Sequence, residues 1–328
     1  MPSNTFDKTN LGSAVTTKEQ VLSGASLIEP ESTPLGSSLD SITLKSTSQS
    51  WNLDSYSAPR ITPVAEGKNP SSYEDAYDQL GQVFNFTHTL ERTGQLTDDF
   101  MLTDSYADTS YQRAKMKKAV EINRDKEMLL FSAQVRSAGS KGGAARTTES
   151  LVSQLTAAST VFADAPEYII PAAQVVTNTA PTEVTINAAL RSVKDESGAD
   201  ASLVVYADSA WMDALTKNVL RISDATNANL NVNLDGKDAT VPLRLKVYDG
   251  PHGKVTFVNT NSKCSSDPTN LDTALFLDRS KAKLGYLGPQ LRIQDEPEYL
   301  GTKEFAMRCK VMPMVLNPKA MINWNGIA

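Results

Sequence analysis

The residue types that most often carry catalysis or bind metals are scarce in this chain. Its 328 residues include two histidines, His88 and His252, and two cysteines, Cys264 and Cys309. A nucleophilic site needs a base within reach of its nucleophile, and a zinc site needs several His, Cys or carboxylate ligands. His88 lies in a strand-like pattern and His252 lies in a Gly-Pro-His-Gly turn. We therefore predict no catalytic, metal-binding or cofactor-binding residues, and we expect both cysteines to be free thiols.

Carboxylates, by contrast, are numerous, so a hydrolase that uses two of them is an alternative from another function class. Nothing in the sequence selects a pair among Asp98-Asp99, Asp195-Glu196 and Glu296 with Glu298. The glycine-rich run at 139–143, Gly-Ser-Lys-Gly-Gly, lacks the spacing of a phosphate-binding loop and follows a helical pattern instead of a strand. We interpret it as a flexible connection.

The charge of the chain is uneven. The net charge of −6 argues against tight nucleic-acid binding, which requires a basic face, but it does not exclude a protein that surrounds nucleic acid. Residues 111–146 nevertheless contain nine Lys or Arg residues and three acidic ones, a local charge of +6. This segment is either a solvated helix face or a surface that contacts acidic neighbours or nucleic acid.

The beginning of the sequence lacks the basic and apolar regions of a signal peptide. No run approaches the roughly 20 apolar residues that a membrane span needs. We expect a protein that is made in a cytoplasm and has no membrane partner.

The first half of the chain contains segments that cannot form a core alone. Residues 1–47 are rich in Ser and Thr, which indicates either a disordered tail or an arm that orders against neighbouring subunits. Residues 48–95 are predicted to form two extended segments, around Trp51 and around 82–90, joined by a long polar tip. A projecting hairpin of this kind generally needs a partner surface.

Residues 108–138 give the clearest helix signal, and at about 30 residues this helix would be far longer than average. We expect Asp108, Thr109 or Ser110 to cap its start and the helix to end at Gly139. Ion pairs are expected between Glu121 and its neighbours Lys117 and Arg124. Lys126 interrupts the predicted apolar stripe, which consists of Ala119, Ile122, Leu129 and Ala133.

The second half is mixed α/β. The sequence predicts helices that begin near residues 148, 182 and 209, the last capped by Ser209, and a hairpin whose turn lies at 249–253. Further strands are predicted at 203–206, 274–278, 284–287 and 304–315.

The order of these elements resembles the Hong Kong 97-like (HK-97) fold of the major capsid (major head) proteins of tailed double-stranded DNA bacteriophages. The resemblance extends from about residue 33 to about residue 323. It is carried by these stretches: Thr33-Pro34-Leu35 with Leu39, Trp51-Asn52-Leu53-Asp54, Ala65-Glu66-Gly67, Leu80-Gly81-Gln82-Val83-Phe84, Thr93-Gly94, Tyr111 to Gln134, Ala144-Ala145-Arg146, Tyr248 to Val258 and Ala274 to Asp278.

The resemblance implies an α+β fold with an N-terminal arm, an extended hairpin loop, a peripheral domain with a long spine helix, and an axial domain. The implied boundaries are 1–47 for the arm, 48–95 for the hairpin loop, 96–145 for the peripheral domain with the spine helix, 146–265 for the axial domain and 266–328 for the return strands of the peripheral domain.

It also implies a non-enzymatic subunit that self-assembles into hexamers and pentamers of an icosahedral shell. The shell would enclose double-stranded DNA without sequence-specific binding, would be part of a virion assembled in the host cytoplasm, and could use separate scaffold, portal and decoration proteins. Candidate intersubunit contacts are Trp51, Arg60, Glu66, Gly67, Lys117, Lys118 and Arg124. A bacterial encapsulin-type compartment of the same fold is the alternative.

Overall fold

The computed structural model describes residues 33–97 (except 58, 68, 70–72, 74 and 76–78), 111–198, 200–216, 218, 247–260, 273–295 and 301–327. Most of the predicted arm, the start of the predicted spine helix, Cys264 and the acidic pairs at 98–99 and 296–298 therefore lie outside the described residues.

The described strands are β1 (Asp40–Leu44), β2 (Ser48–Leu53), β3 (Gly81–Phe86), β4 (His88–Thr97), β5 (Val175–Thr177), β6 (Ala201–Ala207), β7 (Val247–Gly250), β8 (Gly253–Asn259), β9 (Ala274–Leu277), β10 (Ala282–Leu287), β11 (Arg292–Asp295), β12 (Thr302–Val315) and β13 (Ile322–Asn325). The described α-helices are α1 (Pro34–Ser38), α2 (Tyr111–Phe131), α3 (Leu151–Gln154), α4 (Glu183–Ser197) and α5 (Ser209–Leu215).

A five-stranded sheet is built around the long strand β12. β10 and β11 pair with β12, and β1 extends the sheet as a parallel partner of β10. β4 pairs antiparallel with β12 from Thr302↔Thr97 to Val311↔His88. Helix α2 packs across β4 and β12, and its Leu130 and Phe131 share one buried cluster with Met307 and Cys309 of β12. The predicted strand at 304–315 and the buried free thiol of Cys309 are confirmed.

The spine helix α2 ends at Phe131, earlier than predicted, and Ala133 is exposed instead of contributing to the apolar stripe. The reason is a competing backbone pairing. After Ser132 the chain bonds to the segment that follows the glycine-rich run, where Ser137 and Thr147 exchange backbone hydrogen bonds of 3.0 Å and the Ser150 N–H donates to the Gln134 carbonyl. The glycines therefore lie in a loop and do not end the helix.

A six-stranded sheet has the strand order β5-β13-β9-β6-β8-β7. Helices α4 and α5 bury their apolar residues against it, together with an aromatic cluster of Trp211, Phe257, Phe276 and Trp324. The start of α4 is confirmed, since Thr182 and Thr185 form a reciprocal capping box. The cap of α5 is Asp208, whose carboxylate accepts the Ser209 N–H at 2.7 Å, and not Ser209 itself.

The sheets do not divide the chain at residue 265. We predicted residues 266–328 to be return strands of the peripheral domain, yet β9 and β13 lie inside the six-stranded sheet. β9 is buried at all four positions because Leu275 and Leu277 lie in one buried cluster, Ala274 and Phe276 lie in another, and β6 and β13 pair along its two edges. Its uniformly apolar sequence, Ala-Leu-Phe-Leu, is what a strand covered on both faces requires.

The predicted hairpin is shorter than expected. β2 and β3 pair from Ser48↔Phe86 to Leu53↔Gly81 and form a separate two-stranded ribbon. Beyond Thr87, whose N–H donates to the Thr47 carbonyl at 2.9 Å, the chain enters β4 of the five-stranded sheet. The predicted continuous return strand at 82–90 is thus divided at Thr87 between two sheets.

The pairing of β4 with β12 generates a stability prediction. Gly94 lies opposite Phe305, and a Cβ added at Gly94 would lie 2.6 Å from Cε1 of the Phe305 ring. Gly94→Ala should therefore lower the free energy of unfolding by about 1–3 kcal/mol through overpacking. The control Thr93→Ala, at an exposed position next to it, should change it by less than about 0.5 kcal/mol. Urea unfolding measures both, and equal stability of the two variants would contradict the prediction.

Candidate assembly surface

The hairpin root is the set of contacts that joins the β2–β3 ribbon to the five-stranded sheet. Trp51 of β2 donates its indole N–H to the Val315 carbonyl at 3.1 Å. Its ring packs against a small buried cluster that contains Leu44 and Met314. Trp51, predicted as an intersubunit contact, therefore anchors the hairpin to its own chain.

Asn85 of β3 lies fully buried at the centre of the hairpin root. Its amide nitrogen donates to the carbonyls of Glu149, at 3.1 Å, and Pro313, at 3.2 Å. Its amide oxygen accepts the N–H groups of Phe86, at 2.8 Å, and Glu149, at 3.0 Å. Three of these four hydrogen bonds thus connect the hairpin to the chain before α3 and to the end of β12.

Gln154 completes the polar contacts of the hairpin root. Its amide nitrogen donates to the Pro313 carbonyl at 3.1 Å, and its oxygen accepts the Val315 N–H at 3.2 Å. β4 leaves β12 after Val311, and among the described strands none pairs with this edge of β12 beyond that point. Pro313 lacks an N–H, and the two amides bond to the remaining groups.

Two of the nine basic residues counted at 111–146 also belong to the hairpin root. Arg136 donates to the Phe84 carbonyl at 2.6 Å, and its guanidinium lies 3.9 Å from the centroid of the Phe84 ring. Arg146 donates to the Thr87 hydroxyl at 3.4 Å. Cations in this segment therefore bind their own chain.

Beyond the root, every described residue from 54 to 78 is exposed. The side chain of Ile61 is 99% exposed and that of Tyr73 is 88% exposed, and Tyr56 and Val64 are also exposed. This projecting tip presents apolar side chains that its own chain does not cover.

Three predicted contact residues lie on the projecting tip. Arg60 is exposed, and Glu66 and Gly67 form an exposed turn. Gly67 has a φ of +75°, which favours glycine, and nothing lies within 4 Å of the position of an added Cβ. The structure thus brings these three residues together on one exposed loop, apart from Trp51.

The basic face of α2 is largely used within the chain. Lys118 pairs with Glu121 at 2.7 Å, and Lys115 pairs with Asp295 at 2.6 Å. Asp125 accepts two hydrogen bonds of 2.5 Å from Arg92 of β4, which raises the pKa of the Arg92 guanidinium.

The remaining predicted contacts on α2 differ in exposure. Lys117 is exposed, Arg124 is half-buried, and the predicted partner of Lys117, Glu121, binds Lys118 instead. Both lysines lie beside Glu121 on the helix surface, because Lys117 precedes it by four residues and Lys118 by three.

Sequence reasoning missed Asn85 and Gln154. A signal for Asn85 was present, because it shares the inward phase of β3 with Val83, and a polar residue at an inward position must find partners. Gln154 carries no comparable signal in the sequence.

The described residues form neither a cluster of metal ligands nor a helix that could span a membrane. Within the described ranges, no three His, Cys, Asp or Glu side chains are grouped so that they could hold a metal ion. No helix in the same ranges is long and apolar enough to cross a membrane.

Comparison with known protein families gives one match that extends along most of the chain. The family described as SU10 major capsid protein matches residues 2–299. A comparison with curated proteins finds no match.

Solved structures with a similar fold include capsids and a bacterial compartment. Gordonia phage Cozz is 14% identical with a TM-score of 0.59, covering 95% of this chain and 92% of that chain. The capsid of a native GTA particle is 13% identical with a TM-score of 0.62, covering 97% and 100%. The SrpI encapsulin complex of Synechococcus elongatus is 10% identical with a TM-score of 0.54, covering 95% and 92%. These likenesses confirm the predicted HK-97-like, α+β fold.

The hairpin root generates a second stability prediction. Asn85→Ala should lower the free energy of unfolding by about 1–3 kcal/mol, because it leaves the buried Glu149 N–H without its acceptor, while the carbonyls of Glu149 and Pro313 keep the amide of Gln154. Asn52→Ala, at an exposed position of β2, is the matched control and should change it by less than about 0.5 kcal/mol. If both variants unfold at the same urea concentration, the four bonds of Asn85 do not stabilise the hairpin root.

Proposed function

The chain belongs to the SU10 major capsid protein family, and from that premise we propose that its copies form hexamers and pentamers of an icosahedral shell around double-stranded DNA. Membership of this family makes the chain a structural capsid protein and not an enzyme, so the hydrolase alternative is set aside. Its place is the capsid of a virion, in a homo-oligomeric shell.

The observation that carries the proposal is the projecting tip of the hairpin. Its exposed apolar side chains, Tyr56, Ile61, Val64 and Tyr73, stand on a root that is rigidly bonded to the five-stranded sheet. An apolar loop held away from its own core supplies contact area for a neighbouring copy. Rings of identical subunits are closed by head-to-tail contacts, in which a loop of one copy meets a different surface of the next.

Within this proposal the six-stranded sheet with α4 and α5 lies at the centre of hexamers and pentamers. The five-stranded sheet and α2 form the periphery, the hairpin lies over an adjacent subunit, and the arm runs beneath or around another. The DNA is enclosed without sequence-specific binding, which suits a chain with a net charge of −6. Assembly takes place in the host cytoplasm, with separate scaffold, portal and decoration proteins.

An encapsulin-type compartment is the second candidate, because the Synechococcus elongatus encapsulin shares the fold. Electron microscopy of the full chain, purified from its native source, tests the proposal and separates the two candidates. Icosahedral particles that contain DNA are expected. A protein that stays monomeric would refute both shells, and particles that hold protein cargo without DNA would favour the compartment.

The hairpin tip generates an assembly prediction. Ile61→Asp should leave a folded subunit that fails to form particles, because the contact with a neighbouring copy would bury an unpaired charge. Ile61→Leu keeps an apolar side chain and should assemble normally. Deletion of residues 58–72 should act like Ile61→Asp, and normal particles from this deletion would contradict the role of the hairpin. Circular dichroism and electron microscopy measure folding and assembly.

The exposed lysine of α2 generates a further prediction, since its partner is proposed to be an acidic neighbour. Lys117 is the cleaner variant because Lys118 is paired with Glu121. Lys117→Glu should weaken assembly more at about 0.05 M salt than at about 0.5 M, where exposed charges are screened over a shorter distance. Lys117→Arg keeps the charge and should assemble normally. Light scattering measures the extent of assembly, and an effect independent of salt would contradict the electrostatic contact.

A further inference from the structure

The short helix α1 is held on α2 by one buried carboxylate. Glu127 is completely inaccessible to solvent, and its two oxygens accept the N–H groups of Leu35, at 2.9 Å, and Gly36, at 2.6 Å. A Cβ at Gly36 would lie 3.0 Å from Oε2 of Glu127 and 3.2 Å from Cε of Lys126, so the backbone of α1 approaches α2 closely. Burial raises the pKa of the Glu127 carboxyl, while the two N–H donors and Lys126 lower it.

The other end of α1 is bonded to the six-stranded sheet. The hydroxyls of Ser38 and Tyr206, a buried residue of β6, are 2.5 Å apart. The Ser38 hydroxyl donates to the Leu35 carbonyl at 2.9 Å, and the Tyr206 hydroxyl accepts from Nε of Arg279 at 2.9 Å. These contacts fix the direction of the shared bond, with Tyr206 as donor and Ser38 as acceptor.

Polar side chains lie beside α1. Lys126, whose Cε would be 3.2 Å from a Cβ at Gly36, has its ammonium 3.3 Å from the Tyr286 hydroxyl. The thiol of Cys309, in β12, is 2% exposed and belongs to the same buried cluster as Leu35. Burial raises the pKa of the Cys309 thiol, and the charge of Lys126 opposes that change.

A helix of five residues is not stable by itself, since isolated helices need about 12–15 residues. The helical form of α1 therefore depends on docking, and both of its polar anchors could exchange for water. Leu35 and Leu39 add buried apolar surface to the same docked state.

We propose that residues Thr33–Leu39 act as a releasable clamp between α2 and the six-stranded sheet, with Glu127 and Tyr206 as its two anchors. When the clamp is docked, it adds to the contacts between the two parts of the subunit, because Leu275 of the six-stranded sheet already shares one buried cluster with Met307 of the five-stranded sheet. When it is released, it uncovers Lys126 and Cys309. The two anchors act together, because they hold opposite ends of a single helical turn. The clamp acts within a single subunit and does not require that subunits assemble into a shell.

The reactivity of Cys309 reports the state of the clamp. The experiment uses the full chain with Cys264→Ser, so that Cys309 is the only thiol, and measures its rate of labelling by iodoacetamide under native conditions. Glu127→Ala should raise the rate by about tenfold or more, because it removes two hydrogen bonds to a charged group. Ser38→Ala should raise it by about threefold, because it removes the contact with Tyr206 and a hydrogen bond to the Leu35 carbonyl within the same turn, both between neutral groups.

Matched controls lie beside each anchor. Ser37→Ala changes an exposed serine of the same turn, and Glu121→Ala changes a half-buried glutamate of the same helix. Neither should alter the rate. If Glu127→Ala does not fold, Gly36→Val displaces α1 by steric overlap and should raise the rate instead.

Unfolding curves for every variant separate clamp release from loss of global stability. If Glu127→Ala raises the labelling rate of Cys309 and Ser38→Ala leaves it unchanged, the two anchors are independent. That result would overturn the clamp. Unchanged rates in Glu127→Ala and in Gly36→Val would also overturn it.

Discussion

The backbone of β12 must find hydrogen-bond partners along its whole length, and much of the subunit follows from how it does so. Over ten residues β4 supplies one side, and β10 and β11 supply the other. Where β4 ends and Pro313 removes a donor, Asn85 and Gln154 take over. The hairpin leaves the five-stranded sheet where β4 ends, because Asn85, whose side chain bonds to the backbone of β12, belongs to β3. If β4 continued beside β12, the hairpin would have no place from which to project.

Several basic side chains are likewise bound within their own chain. A segment with a local charge of +6 suggested a surface for partners, yet Lys115, Lys118, Arg136 and Arg146 bind groups of their own chain. The basic surface of α2 that could contact a neighbouring subunit is therefore smaller than the number of basic residues in this segment implies. The described apolar side chains of the hairpin tip, by contrast, are exposed, and in the proposed shell they supply contact area for a neighbouring copy.

Prediction from the sequence succeeded where the signal is local. The strand at 203–206 and the capped start of α4 are properties of a few adjacent residues, and the structure has both. The end of α2 was predicted wrongly because a helical pattern continues past Phe131, and only the backbone pairing of Ser137 with Thr147 ends the helix. The predicted boundary at residue 265 does not coincide with the division between the two sheets for a similar reason, since β9 and β13 join a sheet whose other strands are distant in sequence. Of the candidate contacts, Arg60, Glu66 and Gly67 share one exposed loop, but Trp51 packs inside its own subunit.

The sequence by itself determined the class of protein. The scarcity of histidine and cysteine argued against a multi-histidine or cysteine-rich site, and the order of arm, hairpin, long helix, α/β unit and late strands resembled the shell fold of a known family, which the family match shows. The individual elements depend on composition and on periodicity along the chain, whereas the fold and the function followed from the resemblance. Only the tertiary structure decided which polar residues hold the segments together. In the sequence, Glu127 is one residue of a helical pattern and Asn85 is one residue of a strand pattern. Each is buried against backbone groups more than sixty residues away, and a contact over that separation leaves no mark on the residues between.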